Sequence, residues 1–409
     1  MEKPQQGDLS LLGIHTLNNR ELFQKSSVRH DFLMARGKIL KNSDPFALPK
    51  RTWVEIDRSA LRHNLRIVQK LAGGAGVMAV VKANGYGHGL NEVAATLSSG
   101  VEIFAVASLG EALLLRRTEK VKPILLLSAA LPVEYPAIAR HGFIPTISSL
   151  EEAKLYAKVS PARSLIHFKI DTGMGRIGSL PEDARSALAG IRRLPVVLHS
   201  ISTHLPSADS NRVSTKKQLK AFSHLISSMD GLAERVPLHV LNSAATMLFP
   251  SYTHEMVRVG LALYGVSPVA RFQKLFRPAL SWKASVSLVR TIPKGHSISY
   301  GGTYVTPSQI RMAVIPVGYA DGYPRHLSGR GAYTLIRGIR CPVLGRVTMD
   351  QIMVDVSKAG NVKAGDEAVL IGRQEKQEIT AAEVAHWADT IPWHIFCGIT
   401  ARVAYQYKS

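Results

Sequence analysis

Cysteine is almost absent. The 409 residues hold only Cys341 and Cys397, far apart and outside any CxxC or Cys/His cluster, which excludes a disulfide framework and a structural zinc site. A reducing compartment is expected, and no metal. Long apolar runs are missing as well: none approaches the roughly 18 residues of a membrane span, and the N-terminus lacks the continuous apolar core of a secretion signal. We therefore expect a cytoplasmic protein with no membrane partner. Aromatic residues make up 7% of the chain and are not interleaved with the scattered Lys and Arg. The formal charge of +21, from 51 basic against 30 acidic residues, thus reads as a solvated basic surface and not as a nucleic-acid site.

Apolar residues are plentiful. They make up 46% of the chain, enough for sizeable cores in a length that suits one large barrel plus a smaller domain. Residues 1–48 are mixed in charge, carry no long periodic run and end near the turn formers Asn42-Ser43-Asp44-Pro45; they read as an N-terminal extension outside the fold. From Thr52 a strand, Trp53-Val54-Glu55-Ile56, leads to Asp57, a fitting N-cap, and to Leu61, Leu65, Val68 and Leu71 at helical spacing. Short apolar runs follow at 77–81, 103–107, 124–127, 166–170, 196–201 and 238–241, with helical stretches such as 150–159 and 218–232 between them. This alternation over 49–276 predicts a parallel α/β fold, and its length suits a TIM-like (β/α)8 barrel, where chemistry gathers at the C-terminal ends of the strands. Over 277–409 the texture shifts to short β-rich runs at 284–290, 312–317, 352–356 and 368–371, which predicts a second, mainly β domain.

Lys82 closes the run 77–81 and is followed by Ala83-Asn84-Gly85-Tyr86-Gly87-His88-Gly89. A strand tip followed by glycines holds an amine rigidly and leaves room for a ligand. A partly desolvated lysine has a lowered pKa and can form a Schiff base with a carbonyl cofactor. The glycine pattern is neither a Walker A loop nor GxGxxG, and a strand-end lysine taken alone is more often a solvated cation.

Further residues decide the matter. The segment from Ala79 to Gly89 resembles the cofactor-lysine motif of alanine racemases, which are fold-type III pyridoxal phosphate enzymes. Other segments follow in that family's order: Glu55-Ile56-Asp57 with His63-Asn64, Lys169-Ile170-Asp171-Thr172-Gly173-Met174-Gly175-Arg176, Thr203-His204, His239 with Asn242-Ser243, and Arg258-Val259-Gly260. The β-rich part adds Ser299-Tyr300-Gly301, Gly318-Tyr319 and Gly345-Arg346-Val347-Thr348-Met349. The resemblance covers residues 51–405.

It implies racemisation of L- and D-alanine with pyridoxal 5'-phosphate held by Lys82, the D-alanine serving peptidoglycan. Lys82 would be the base on one face of the amino acid substrate and Tyr300 the base on the other, because inversion removes a proton from one side of Cα and returns one to the opposite side. By the same resemblance His204 would hydrogen-bond the catalytic tyrosine, Arg258 would face the pyridine nitrogen and His239 would orient Arg258. Arg176 would lie near the cofactor's phenolic oxygen and the substrate carboxylate, and Lys169 aligns with a lysine often carbamylated in the family. Tyr86, Ser243 and the amides of Gly260 and Leu261 would take the phosphate. The backbone of Met349 would receive the substrate carboxylate, and Tyr319 would line the entrance. A homodimer with shared active sites is implied, since the family's tyrosine reaches the lysine of the other subunit.

The sequence departs from the family pattern at Gly85, Val259 and Thr348, none of which is a reacting group. Ala401 stands where many members carry a tyrosine that narrows the pocket, so a racemase of broader specificity, taking serine or larger side chains, is the alternative. Fold-type III decarboxylases share the barrel and the lysine but fit Tyr300 and Arg258 less well.

Overall fold

The computed structural model describes residues 51–409 apart from Asp230 and Leu232; the extension expected at 1–48 lies outside the described residues. After β1 (Thr52–Asp57), eight parallel strands close into a barrel: β2 (Gly76–Val80), β3 (Ile103–Val106), β4 (Ile124–Ala129), β5 (Ile144–Ile147), β6 (Ser164–Lys169), β7 (Val196–Ser202), β8 (Leu238–His239) and β9 (Met256–Val259). The chain is a (β/α)8 barrel followed by a mainly β domain. Strands β3, β5 and β9 are buried along their whole length, as their uninterrupted apolar runs require when helices cover one face and the barrel interior the other. The helix Leu150–Val159 matches its expected range and is started by Ser149, whose hydroxyl accepts from Glu152 N at 3.1 Å.

Three local expectations are corrected. β1, which by position opens the 49–276 stretch, is not a barrel strand: it pairs antiparallel with Leu280–Ser285 and parallel with Ala404–Lys408, inside the sheet of the second domain. Val54 and Ile56 are fully buried there, an alternation that a strand pattern shows without naming its neighbours. The helix that follows, Arg58–Leu71, starts at Asp57 as anticipated, the carboxylate accepting from Ala60 N at 3.0 Å. The run 284–290 is split between the strands Leu280–Ser285 and Leu288–Ile292, because Val286 N turns to Asp366 O and Ser287 N to Val314 O. The helix expected at 218–232 spans Arg212–Ser227, since the Asn211 side chain caps it at Ser214 N, upstream of the apolar spacing.

Among the described residues no helix is long and apolar enough to cross a membrane. Both cysteines are free, Cys341 buried and Cys397 exposed.

Candidate active site

Lys82 leaves the C-terminal end of β2 into a turn of the wrong hand. Ala83, Asn84, Gly85 and Tyr86 have φ of 51°, 54°, 62° and 52°, a left-handed turn that costs about 1–2 kcal/mol per L-residue. It persists because it is tied on every side. Glu111 accepts from Ala83 N at 2.6 Å through one oxygen and from Ala107 N at 2.8 Å through the other. Asn84 Oδ1 accepts from Leu90 N at 3.0 Å, and the Tyr405 hydroxyl of the second domain donates to Gly87 O at 2.8 Å. Gly87 is required where it stands, since a Cβ would fall 2.1 Å from Phe396 O. Tyr264 closes the floor: its hydroxyl donates to Val80 O at 3.0 Å and its ring stacks on Tyr86 with centroids 4.9 Å apart.

The Lys82 side chain faces a cavity of about 900 Å³ whose lining includes Tyr86, Lys169, Arg176, His204, Ser243, Arg258, Gly260 and Leu261. Its charge is one-sided, with Lys82, Lys169, Arg176 and Arg258 against Asp209 as the one acidic lining residue. Such a cavity suits a ligand carrying several negative charges. At one end Gly260 N donates to Ser243 Oγ at 3.2 Å, and a Cβ on Gly260 would meet Tyr86 Oη at 2.5 Å. Burial pushes the Tyr86 phenol well above its ordinary pKa, so it remains a donor at neutral pH. A phenol, a hydroxyl and a backbone amide grouped in this way suit a phosphate.

Arg258 is buried on β9 without a carboxylate partner. Nη1 donates to His239 Nδ1 at 2.7 Å and to His239 O at 2.8 Å; Nη2 donates to Thr203 O at 2.8 Å and to His204 Nδ1 at 3.2 Å. A guanidinium only donates, so both histidines must accept through Nδ1 and carry their proton on Nε2. Burial lowers Arg258 to about 10, which leaves it charged at neutral pH. His239 passes the constraint inward, Nε2 donating to Ser200 Oγ at 3.2 Å, and the Ser200 hydroxyl in turn donates to His199 Nδ1 at 2.9 Å. The His239 ring stacks on His167 at 4.7 Å, and His167 Nε2 accepts from Ser202 Oγ at 2.9 Å. His204 is driven down to about 3, first by burial and then by Arg258, Lys169, Arg176 and Lys82. It is neutral, and its Nε2–H is the donor left over for the cavity it lines.

Removing the guanidinium would strand several buried acceptors at once. Arg258→Ala is expected to lower stability by about 3 kcal/mol or more, read from urea unfolding. A change below about 1 kcal/mol would contradict this account of the barrel interior.

Lys169 ends β6 buried, and burial, then Arg258 and Arg176, lower its amine to about 8. Arg176 lies in a loop organised by Asp171, whose carboxylate accepts from Gly173 N, Met174 N and Arg176 N at 2.8, 2.7 and 3.0 Å. Among the described residues no group of His, Cys, Asp and Glu is placed to hold a metal ion.

One chain does not assemble every residue singled out above. Tyr300, Tyr319 and Met349 lie outside the cavity lining and are 71%, 42% and 52% exposed. Ala401 is also exposed and outside the lining; the second domain contributes Ile391, Trp393 and Cys397 instead. Sequence reasoning missed those three, together with Glu111, Ser200 and the roles of Tyr264 and Tyr405. Glu111 was hidden because Ser108-Leu109-Gly110-Glu111 reads as an ordinary capping box. Ser200 and Ser202, two apart on β7, carry the weak signal of hydroxyls on one face of a strand.

Comparison with known proteins gives a consistent picture. A family model described as the alanine racemase N-terminal domain matches residues 56–268, and one for the alanine racemase C-terminal domain matches residues 279–407. The chain is 43% identical over 368 residues to an alanine racemase of Symbiobacterium thermophilum, covering 87% of this chain and 97% of that one. It is 40% identical over 373 residues to that of Halothermothrix orenii, with 88% and 98% covered. Among solved structures, the alanine racemase of D-cycloserine-producing Streptomyces lavendulae superposes with a TM-score of 0.82 at 35% identity, covering 88% and 98% of the two chains. That of Bacillus anthracis with bound L-Ala-P gives 0.82 at 33%, covering 88% and 96%.

Proposed function

Because the chain belongs to the alanine racemase family, we propose that it interconverts L- and D-alanine with pyridoxal 5'-phosphate by a two-base mechanism, supplying D-alanine for peptidoglycan. The observation that carries this reading is the joining of Lys82 to three further cations in one cavity that ends in the Tyr86, Gly260 and Ser243 group. That donor set fits the cofactor: Tyr86, Ser243 and the amides of Gly260 and Leu261 would hold its phosphate, Lys82 its carbonyl carbon and Arg258 its ring nitrogen. When bound, pyridoxal phosphate draws electrons from the substrate and acidifies the proton on Cα.

The protein supplies everything else. Arg176 is placed to hold a carboxylate. Arg258, fixed by acceptors on Thr203, His204, His239 and Val240, stays charged and disfavours protonation of the ring nitrogen it would face, which moderates electron withdrawal and favours proton return over other fates. Lys82 moves a proton on one face of Cα, and the Tyr300 phenol of a second copy moves one on the other. The exposure of Tyr300, Tyr319 and Met349 in a single chain supports a homodimer with shared sites, and the His204 Nε2–H is a donor suited to an incoming phenolate.

Incubating the pure protein with L-alanine or L-serine in heavy water tests the reading. The expected result is Cα exchange with D-alanine formation, with some turnover of serine because Ala401 replaces a pocket-narrowing tyrosine. Exchange without any D-isomer would overturn the two-base mechanism, and serine turned over as fast as alanine would favour broad specificity.

Lys169 is expected to be carbamylated: CO2 adds through its carbon to the free amine nitrogen, one proton leaves, and the anion formed lies beside Arg176. Only the neutral amine reacts, so occupancy should rise with pH through about 8, where half of the amine is deprotonated. A bare amine in crystals grown with bicarbonate at pH 9 would contradict this.

A further inference from the structure

Among the described residues no hydrogen bond steadies the Tyr300 side chain. The ring is 71% exposed, and the hydroxyl has no hydrogen-bond partner among the described residues. It projects from a minimal hairpin in which Ser297–Ile298 pairs with Tyr304–Val305, so the direction of the phenol is set by the backbone around it. That backbone is unusual. Ser299, immediately before Tyr300, has φ 67° and ψ −178°, a region essentially confined to glycine. Gly301 and Gly302 follow with φ of 74° and 54°.

Ser299 is the one residue of these three with a Cβ, and it is tied in place. Its hydroxyl donates to Arg346 O at 2.6 Å. Gly345 lets that segment come close, since a Cβ there would lie 2.5 Å from Ile298 O and 2.9 Å from Ser299 Cβ. The Arg346 guanidinium covers the other side, with Cζ 3.5 Å from where a Cβ on Gly301 would stand. A glycine at 299 would take this conformation freely but would also leave it freely. A serine is strained there and has only one neighbouring carbonyl to satisfy it.

We propose that Ser299 is a positioning residue for proton transfer, its strained backbone and its hydroxyl bond to Arg346 O locking the turn so that Tyr300 points in one fixed direction. This rests on the reading of Tyr300 as the second base. Strain kept in a surface hairpin beside a reacting group, where the strain-free residue is used twice in the next three positions, is what such a role requires.

The test compares Ser299→Gly, Ser299→Ala, Tyr300→Phe and the wild type, each as holoenzyme. Thermal unfolding is followed in parallel with Cα proton exchange of L-alanine and of D-alanine in heavy water, by NMR. Ser299→Gly is expected to keep or raise Tm, because relief of strain offsets the lost hydrogen bond. It should nevertheless slow exchange of one enantiomer by about 10-fold or more while the other stays within about twofold. Ser299→Ala keeps the strain and loses the bond, so its Tm should fall by a few degrees, about 2–4 °C. Wild-type exchange of both enantiomers in Ser299→Gly would overturn the proposal, as would an equal fall in both. A Tyr300→Phe protein slowed equally toward both enantiomers would instead overturn the second-base reading, and this proposal with it.

Discussion

Lys82→Ala is expected to abolish racemisation, with kcat/KM falling by about 10⁴-fold or more and no cofactor left on the chain when borohydride reduction precedes denaturing gel filtration. The size of the loss follows from the two tasks proposed for one amine: holding the cofactor's carbonyl carbon and moving a proton at the substrate's Cα. Neither task can pass to Lys169, which is tied to the opposite side of the barrel on β6 and shares its surroundings with Arg176 and Arg258. The fold should be unaffected, because the left-handed turn is held by Glu111, Asn84 and Tyr405 and by no atom of the Lys82 side chain. A small amine such as methylamine should restore a fraction of the activity by occupying the space the side chain leaves. Activity within about tenfold of wild type would place the chemistry elsewhere.

Tyr300→Phe is expected to lower racemisation by about 10³-fold, within the range for loss of one general acid–base group, with the single-chain fold intact because the ring is exposed and the hydroxyl has no partner among the described residues. The decisive version mixes it with Lys82→Ala. If Lys82 of one copy works with Tyr300 of another, a hybrid dimer has one intact site and one doubly defective site. Random exchange of subunits makes half the dimers hybrid, so two inactive proteins should recover about a quarter of wild-type activity. Sites built within single chains would give no recovery, and the exposed Tyr300 would then need another explanation.

These expectations rest on residues that differ in how readable they were. Lys82, Arg258, His204 and Gly260 stood in segments that resemble the family's motifs, and the cavity gathers them. Asp57 as an N-cap and the helix Leu150–Val159 were equally legible, because capping and amphipathic spacing are local. Glu111 was not: its carboxylate serves a backbone amide 28 residues upstream, a contact the apparent capping box disguised. Ala401 lies outside the cavity lining of a single chain for a related reason, since which second-domain residues reach the barrel depends on how the segment from Ile391 to Cys397 packs against the Lys82 turn.

The sequence by itself determined the alternation that makes a barrel and the amine at the end of its first strand, because periodicity, caps and short motifs act within a few residues, and its resemblance to the family named the groups expected around that amine. Tertiary structure alone decided that β1 joins the second domain's sheet, that Arg258 is neutralised by no acid but held by His239, His204 and Thr203, and that Tyr300 stands outside the cavity of its own chain. Those are pairings between residues up to hundreds of positions apart, and they are chosen by burial and hydrogen-bond satisfaction over the whole fold.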